Sequence, residues 1–278
     1  MNDDYAGLAA AYDAMAADPG IAPFYAEWRR ALLDAARKRG VRIRVLVDLA
    51  CGTGNSTVPW SRRRGWTVIG VDRSAAMLRE ARKKSRRVRW IRQDLRALRL
   101  RVTADAVTCH FDALNHLLEA RDLRKVFDGA ARILRDGGLF VFDLNTIHML
   151  RWLSGREKLF HVGRDLFMAA NELDNATGIA TFRQLWFLKR GRLYERRDIQ
   201  VRERAYPDPD LQNMLRRAGL RLVATSAQRA IGGKPIRKLY VAVKAAAARS
   251  VPRNPSNAGP QYSRNALRRG RPARRRRP

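Results

Sequence analysis

One stretch constrains this chain more than any other. Val41 to Asp72 reads VRIRVLVDLACGTGNSTVPWSRRRGWTVIGVD. Val45 to Leu49 is an apolar, β-branched run broken by one acid, Asp48, which suits a buried strand of a parallel sheet. It runs into Ala50-Cys51-Gly52-Thr53-Gly54, where small residues let the backbone turn tightly and approach a ligand closely. Asn55, Ser56 and Thr57 can each cap a helix, and a helix N-terminus offers free N–H groups. The spacing predicts a helix from Asn55 to Arg64, closed by Gly65. A second strand, Thr67 to Val71, ends at Asp72, where an acid is placed to accept hydrogen bonds from ribose hydroxyls. Loop plus acid describes a nucleoside-binding half-site. A dinucleotide fingerprint fails, because Thr57 stands where G-x-G-x-x-G needs its third glycine, and the Gly-Lys-Ser/Thr ending of a P-loop is absent.

The rest of the chain continues the rhythm. Residues 5–39 read as one or two helices, with Tyr5, Leu8, Tyr12, Met15, Phe24, Trp28, Leu32 and Leu33 at helical spacing. Ser74 is an N-cap before the helix formers Ala75 to Ala81. A third strand, Val88 to Gln93, ends at Asp94-Leu95. A fourth, Ala104 to Cys109, leads into a loop holding His110, Asp112 and His116, with two of the four histidines of the chain. Asp122 to Leu134 is amphipathic, with Leu123, Val126, Phe127, Ala130, Ile133 and Leu134 on one face. Asp136-Gly137-Gly138 ends that helix, and Leu139 to Leu144 is a fifth strand interrupted by Asp143. Residues 146–205 break the pattern. Phe167 to Leu173, Thr177 to Leu188 and Arg192 to Arg202 read as three antiparallel strands, separated by turn signals at Asp174-Asn175 and Arg190-Gly191. A helix through Leu211, Met214, Leu215 and Ala218 follows. The last two strands, Leu220 to Ser226 and Leu239 to Val243, are joined by a Gly232-Gly233-Lys234-Pro235 turn.

Asp48-Leu49-Ala50-Cys51-Gly52-Thr53-Gly54 resembles motif I (D/E-x-G-x-G-x-G) of the class I S-adenosylmethionine-dependent methyltransferases, with Ala50 in place of the first glycine. Val71-Asp72-Arg73-Ser74-Ala75-Ala76-Met77-Leu78 resembles their D-x-S-x-x-M-L segment. Leu134 to Asp143, LRDGGLFVFD, is similar to their L-x-P-G-G hallmark, with Asp136 for proline. The resemblance spans roughly residues 5–245 and is nearest to the small-molecule branch. It implies a Rossmann-like, seven-stranded, mostly parallel sheet with an antiparallel last strand. It also implies an antiparallel β insertion as substrate cap. The implied domains are an N-terminal helical lid (1–40), a cofactor-binding core (41–145), the insertion (146–207), the end of the core (208–248) and a disordered basic tail (249–278). The implied cofactor is S-adenosyl-L-methionine, held by Tyr12, Asp48, Ala50, Gly52, Gly54, Asp72, Arg73, Met77, Asp94, Leu95 and His110. The pair Tyr12-Asp13 resembles a signature whose helix folds over cofactor and substrate. The loop after the fourth strand faces the transferable methyl group in relatives, so His116, His110 and Asp112 are the candidate catalytic residues. The implied reaction is methyl transfer to a nitrogen or oxygen of a small-molecule acceptor.

Composition sets the outer bounds. The 46% hydrophobic content suits a globular core. Cys51 and Cys109 have no paired spacing and no His/Cys cluster, which excludes a disulfide scaffold and points to no metal site and a reduced, cytoplasmic setting. The N-terminus is acidic, with no apolar h-region, and no run is long enough to span a membrane. The net charge is +31, with ten arginines and no acid in residues 249–278. Such a tail implies weak, salt-sensitive contact with nucleic acid or an acidic surface. It keeps a second function class open, an RNA methyltransferase or an RNA-associated methyltransferase-like binding protein. The place of the Asn/Asp-Pro-Pro-Tyr/Phe motif of DNA amino-methyltransferases is taken by His110-Phe111-Asp112-Ala113. The residues carry no signal for an oligomeric state.

Overall fold

A computed structural model describes residues 8–9, 12–19 and 21–246. Tyr5 and the 249–278 tail therefore lie outside the described residues. In chain order, the helices are α1 (Tyr12–Ala16), α2 (Ala22–Lys38), α3 (Val58–Ser61), α4 (Ala75–Lys84), α5 (Ala120–Ile133), α6 (Ile147–Leu153) and α7 (Asp208–Arg217). The strands are β1 (Val45–Leu49), β2 (Thr67–Asp72), β3 (Val88–Arg92), β4 (Ala104–Cys109), β5 (Leu134–Asn145), β6 (Glu157–Val162), β7 (Asp165–Asp174), β8 (Ile179–Arg190), β9 (Leu193–Arg204), β10 (Leu220–Ile231) and β11 (Lys234–Lys244).

Seven strands form one sheet in the order β10-β11-β5-β4-β1-β2-β3. β1 pairs in parallel with both β2 and β4, and β4 with β5. β11 runs antiparallel to both β5 and β10, so the expected antiparallel last strand is present. The sheet is buried on both faces, which is why its central strands read as continuous apolar runs. One face packs Val47, Leu49, Val107, Phe140 and Phe142 against Leu123, Val126 and Phe127 of α5 and Leu211 and Leu215 of α7. The other packs Leu46, Val68, Val141 and Val241 against Phe24, Trp28 and Leu32 of α2. The order reverses beside β1, so the tips of β1 and β4 open a crevice of the kind that binds ligands in such sheets.

Three sequence expectations need correction. The helix expected over Asn55 to Arg64 is only α3. Ser56 and Thr57 turn their hydroxyls to Asp48 instead of capping, and Pro59 fits only the first turn, where its missing N–H is not needed. The insertion has four strands, β6-β7-β8-β9, and not three, and a helix, α6, precedes them. One face of this second sheet packs Phe167, Trp186 and Leu188 with Leu8, and Phe182 and Val201 with Leu150 and Leu153 of α6. The terminal hairpin is also longer than predicted. Gly232 and Gly233, both at positive φ, close it in the manner of a type I′ turn.

None of the described helices is long and apolar enough to cross a membrane. Gly70 shows how tightly the β2 side of the sheet is packed. A Cβ there would lie 2.5 Å from the Trp90 ring and 3.1 Å from Cys51 Sγ, and Trp90 is fixed by its indole N–H donating to the Ser85 carbonyl at 3.0 Å. Gly70→Ala is expected to destabilise the protein by about 1–3 kcal/mol through overpacking. Its melting temperature should fall by several degrees, and an unchanged melting curve would refute this packing argument.

Candidate active site

The loop between β1 and α3 is built around Asp48. This buried carboxylate accepts from the hydroxyls of Ser56 (2.7 Å), Thr57 (2.5 Å) and Thr108 (2.7 Å). Three donors satisfy a charge that could not otherwise lie inside a sheet. Above it the backbone turns through positive φ at Ala50 (52°), Gly52 (52°) and Gly54 (83°). Ala50 therefore holds a left-handed conformation that glycine adopts at no steric cost.

Asp72, at the tip of β2, accepts from Gly52 N–H and from Ser74 N–H, both at 2.8 Å. These bonds hold the carboxylate at the mouth of the loop. Ser74 caps α4, accepting from Met77 N–H at 3.2 Å. Asp94, at the end of β3, is gripped by Arg96, with Nη2 at 2.6 Å; that hydrogen bond holds its carboxyl below the usual range, against partial burial.

The N-terminal segment is latched onto this loop. Asp13 of α1 accepts from Thr53 Oγ1 (2.6 Å), Asn55 Nδ2 (3.0 Å) and Lys84 Nζ (2.6 Å). Tyr12 packs with Ala9, Ala76 and Met77 and meets Phe111 edge-on at 6.2 Å. Tyr25 of α2 stacks near Phe111 at 6.4 Å, and burial pushes its phenol up to about 12, so it stays a neutral donor.

The far side is organised by a buried ion pair. Asp143 of β5 is fully buried and receives Arg237 of β11. It also accepts from Phe111 N–H at 2.6 Å and Asp112 N–H at 3.2 Å. These bonds pin the loop after β4 in a left-handed turn, with φ of 61° at Phe111 and 51° at Asp112. Arg237 also donates to Asp112 Oδ1 at 3.1 Å. Burial alone would raise the Asp143 carboxyl, but Arg237 and then His110 outweigh it and hold it below the usual range. His110 is 5% exposed and stacks on Trp28 at 4.8 Å. Its Nδ1 lies 3.7 Å from Asp143, and neither ring nitrogen has a hydrogen-bond partner among the described residues. His116 is half-buried, with Nδ1 3.3 Å from the Arg202 carbonyl of β9.

These parts surround one cleft of about 770 Å³, within the size range of sites that enclose drug-sized ligands. Of the residues singled out in the sequence, Tyr12, Ala50, Gly52, Asp72, Arg73, Met77, Asp94, Leu95, His110, Asp112 and His116 line it. Asp48 and Gly54 do not. Asp48 lies beneath the loop, and Gly54 turns toward Trp90, where a Cβ would come within 2.6 Å of the ring. The insertion supplies the opposite wall with Phe182, Trp186 and Glu203, and Asn145 and Arg237 complete it. Sequence reasoning missed Glu203, Asn145 and Arg237. The one signal for this wall was an acid, Asp143, inside an apolar strand.

Comparison with known proteins agrees with this geometry. Residues 46–138 match the family described as "Methyltransferase domain". YqeM of Bacillus subtilis is 26% identical over 223 residues, covering 78% of this chain and 87% of that protein. A crystal structure of an S-adenosylmethionine-dependent methyltransferase from Clostridium acetobutylicum superposes with a TM-score of 0.72 at 24% identity, covering 80% of this chain and 92% of that one. The S-adenosylmethionine-bound structure of CalS10, an amino pentose methyltransferase from Micromonospora echinaspora, superposes with a TM-score of 0.62 at 23% identity, over 78% of this chain and 91% of that one. The chain has the class I methyltransferase fold.

The buried pair makes a pH-dependent prediction. Asp143 has a lowered folded pKa, so its contribution is present above the ordinary aspartate value, about 3.9, and is lost as pH falls through the folded value. Arg237→Ala leaves Asp143 buried without its cation and is expected to cost about 3–5 kcal/mol near neutral pH. The deficit should shrink as pH falls toward the ordinary aspartate value, because burial without the cation lets Asp143 of the variant take up its proton above that value. Melting curves across pH check this, and a deficit independent of pH would contradict it.

Proposed function

We propose that this cleft binds S-adenosylmethionine and directs methyl transfer to the nitrogen or oxygen of a small-molecule acceptor. The observation that carries the reading is that a single cleft joins the strand-tip loop, with Gly52, Asp72 and Asp94, to the inner face of the insertion. The residues fit the cofactor. A Cβ at Gly52 would meet no atom within 4 Å, so the loop leaves open space where a ligand backbone approaches. Asp72 would accept from ribose hydroxyls, Asp94 would accept from an exocyclic amine, and Met77 and Leu95 line the cleft where they would flank the base. When bound, S-adenosylmethionine supplies a methyl carbon that is displaced in line from a positively charged sulfur by the acceptor's lone pair, the C–S electron pair remaining on sulfur.

The chain's own tasks are then to bind, orient and exclude water. Residues 1–40 act as the lid, latched through Asp13, with Tyr12, Tyr25 and Phe111 closing the middle of the cleft. Residues 146–207 form the substrate cap. His116, Asp112 and His110 stand on the loop facing the acceptor half, with His116 and Asp112 as the candidate bases or substrate contacts. Asp112 is already committed in part to Arg237, and His110 is sealed against Trp28.

Titration calorimetry with S-adenosylmethionine and S-adenosylhomocysteine tests the reading. Micromolar affinity is expected for the wild type, and a loss of about 5–100-fold for Asp72→Ala, the equivalent of about 1–3 kcal/mol for hydrogen bonds to a charged group. A folded wild type that binds neither compound would refute it.

A further inference from the structure

Beside Arg237, the acceptor half of the cleft carries a group of hydrogen-bond acceptors with too few donors. Glu203, on the inward face of β9, is 6% exposed, and Asn145, at the end of β5, is 5% exposed. The Asn145 amide N–H₂ donates to Asp112 Oδ2 at 3.0 Å and to Glu203 Oε2 at 2.9 Å, which draws the two carboxyl groups together. Arg237 reaches Asp112 and Asp143; among the described residues, no cation forms an ion pair with Glu203. The Asn145 Oδ1 atom is buried with no partner among the described residues. A buried acceptor left unmatched is costly, and the ligand that satisfies several at once must bring several donors.

We propose that Glu203, Asp112 and the Asn145 amide oxygen form a receptor for the ammonium group of an amine acceptor, and that the carboxyl pair takes a proton from it. The proposal rests on the methyl-transfer reading above and narrows it to nitrogen acceptors. An ammonium carries three donors and no acceptor, a hydroxyl only one donor, and a carboxylate would add negative charge to an acidic wall. Met149, Leu153 and Phe182 supply apolar surface in the same cleft for the carbon skeleton. In the proton step, one N–H bond of the ammonium breaks and its electron pair stays on nitrogen. The proton forms an O–H bond on the carboxyl pair, and the neutral amine is then the nucleophile. Burial, with Asp112 alongside, raises the Glu203 carboxyl above its usual range, the direction that makes a carboxylate a better proton acceptor. Asp112, His116 and Glu203 also bring ligand-capable atoms within 4.8 Å of one another. Arg237, already bound to Asp112, opposes a dication there more than a single ammonium charge.

The test uses the full chain and three probes of one shape, cyclohexylamine, cyclohexanol and cyclohexanecarboxylate, titrated by calorimetry with and without S-adenosylhomocysteine. The wild type is expected to bind the amine at least about tenfold more tightly than the alcohol, the equivalent of about 1.4 kcal/mol, and to reject the carboxylate. Glu203→Gln keeps an oxygen for the Asn145 amide, so it should fold, and it should remove most of the amine preference, because the amine loses a charge partner and the alcohol does not. Asp112→Asn, with a residue that tolerates positive φ, should shift the preference the same way. Equal binding of amine and alcohol by the wild type, a preference that survives both substitutions, or displacement of the amine by manganese chloride alone would each overturn the proposal. Absence of S-adenosylhomocysteine binding would instead count against the methyl-transfer reading, because the amine preference is measured without it as well.

Discussion

The wall of the cleft between the core and the insertion depends on one buried charge pair. Asp143 and Arg237 come from neighbouring antiparallel strands, β5 and β11, and are 94 positions apart in sequence. A carboxylate in the middle of a sheet is tolerable only when its lone pairs are filled. Here Arg237 fills part of them, and the backbone N–H groups of Phe111 and Asp112 fill the rest. The same bonds therefore do two things. They dock the last strand onto β5, and they hold the loop after β4 in the left-handed turn that aims Asp112 at the cleft. Asn145, two residues beyond Asp143 on the same strand face, then ties Asp112 to Glu203 of the insertion. The insertion is thus joined to the core through the side chains that form the candidate acceptor site.

The cofactor side repeats the logic with a different donor set. Asp48 is another acid inside an apolar strand, satisfied by three hydroxyls instead of a guanidinium. Those hydroxyls fix the loop, and the loop presents Thr53 and Asn55 to Asp13 of α1. A contact at the bottom of the sheet is in this way carried to the segment that covers the cleft. Both halves of the site use buried carboxylates as anchors for backbone turns, and both turns place residues at positive φ where the chain approaches the ligand space.

The parts that were legible in sequence are those set by local chemistry. Strands β1 to β5 appear as apolar runs because a parallel sheet is buried on both faces. Gly52 and Asp72, which line the cleft, could be singled out because the loop and the acid lie within one strand-turn-helix-strand unit. The parts that were not legible depend on distant partners. β6 reads Glu-Lys-Leu-Phe-His-Val, a mixed segment that becomes a strand only by pairing with β7. The seven residues of α6 are too few for periodicity to show. The helix after the glycine loop was overextended because Ser56 and Thr57 bond to Asp48, a choice between two local partners that spacing cannot decide. Glu203 and Arg237 sit in polar, arginine-rich strands, where nothing local separates an inward acid or base from a solvated one. The acid inside an apolar run is the transferable clue, since at Asp48 and Asp143 alike it marked a hub of the site.

The central claim is that a nucleoside half-site and an acceptor site share one cleft around these two hubs. A crystal structure of the complex with S-adenosylhomocysteine tests it most directly. The account predicts the ribose hydroxyls within hydrogen-bond distance of Asp72, the base beside Met77 and Asp94, and the sulfur turned toward Asp112 and Glu203. A ligand bound outside this cleft, or one whose sulfur faces away from that wall, would contradict it.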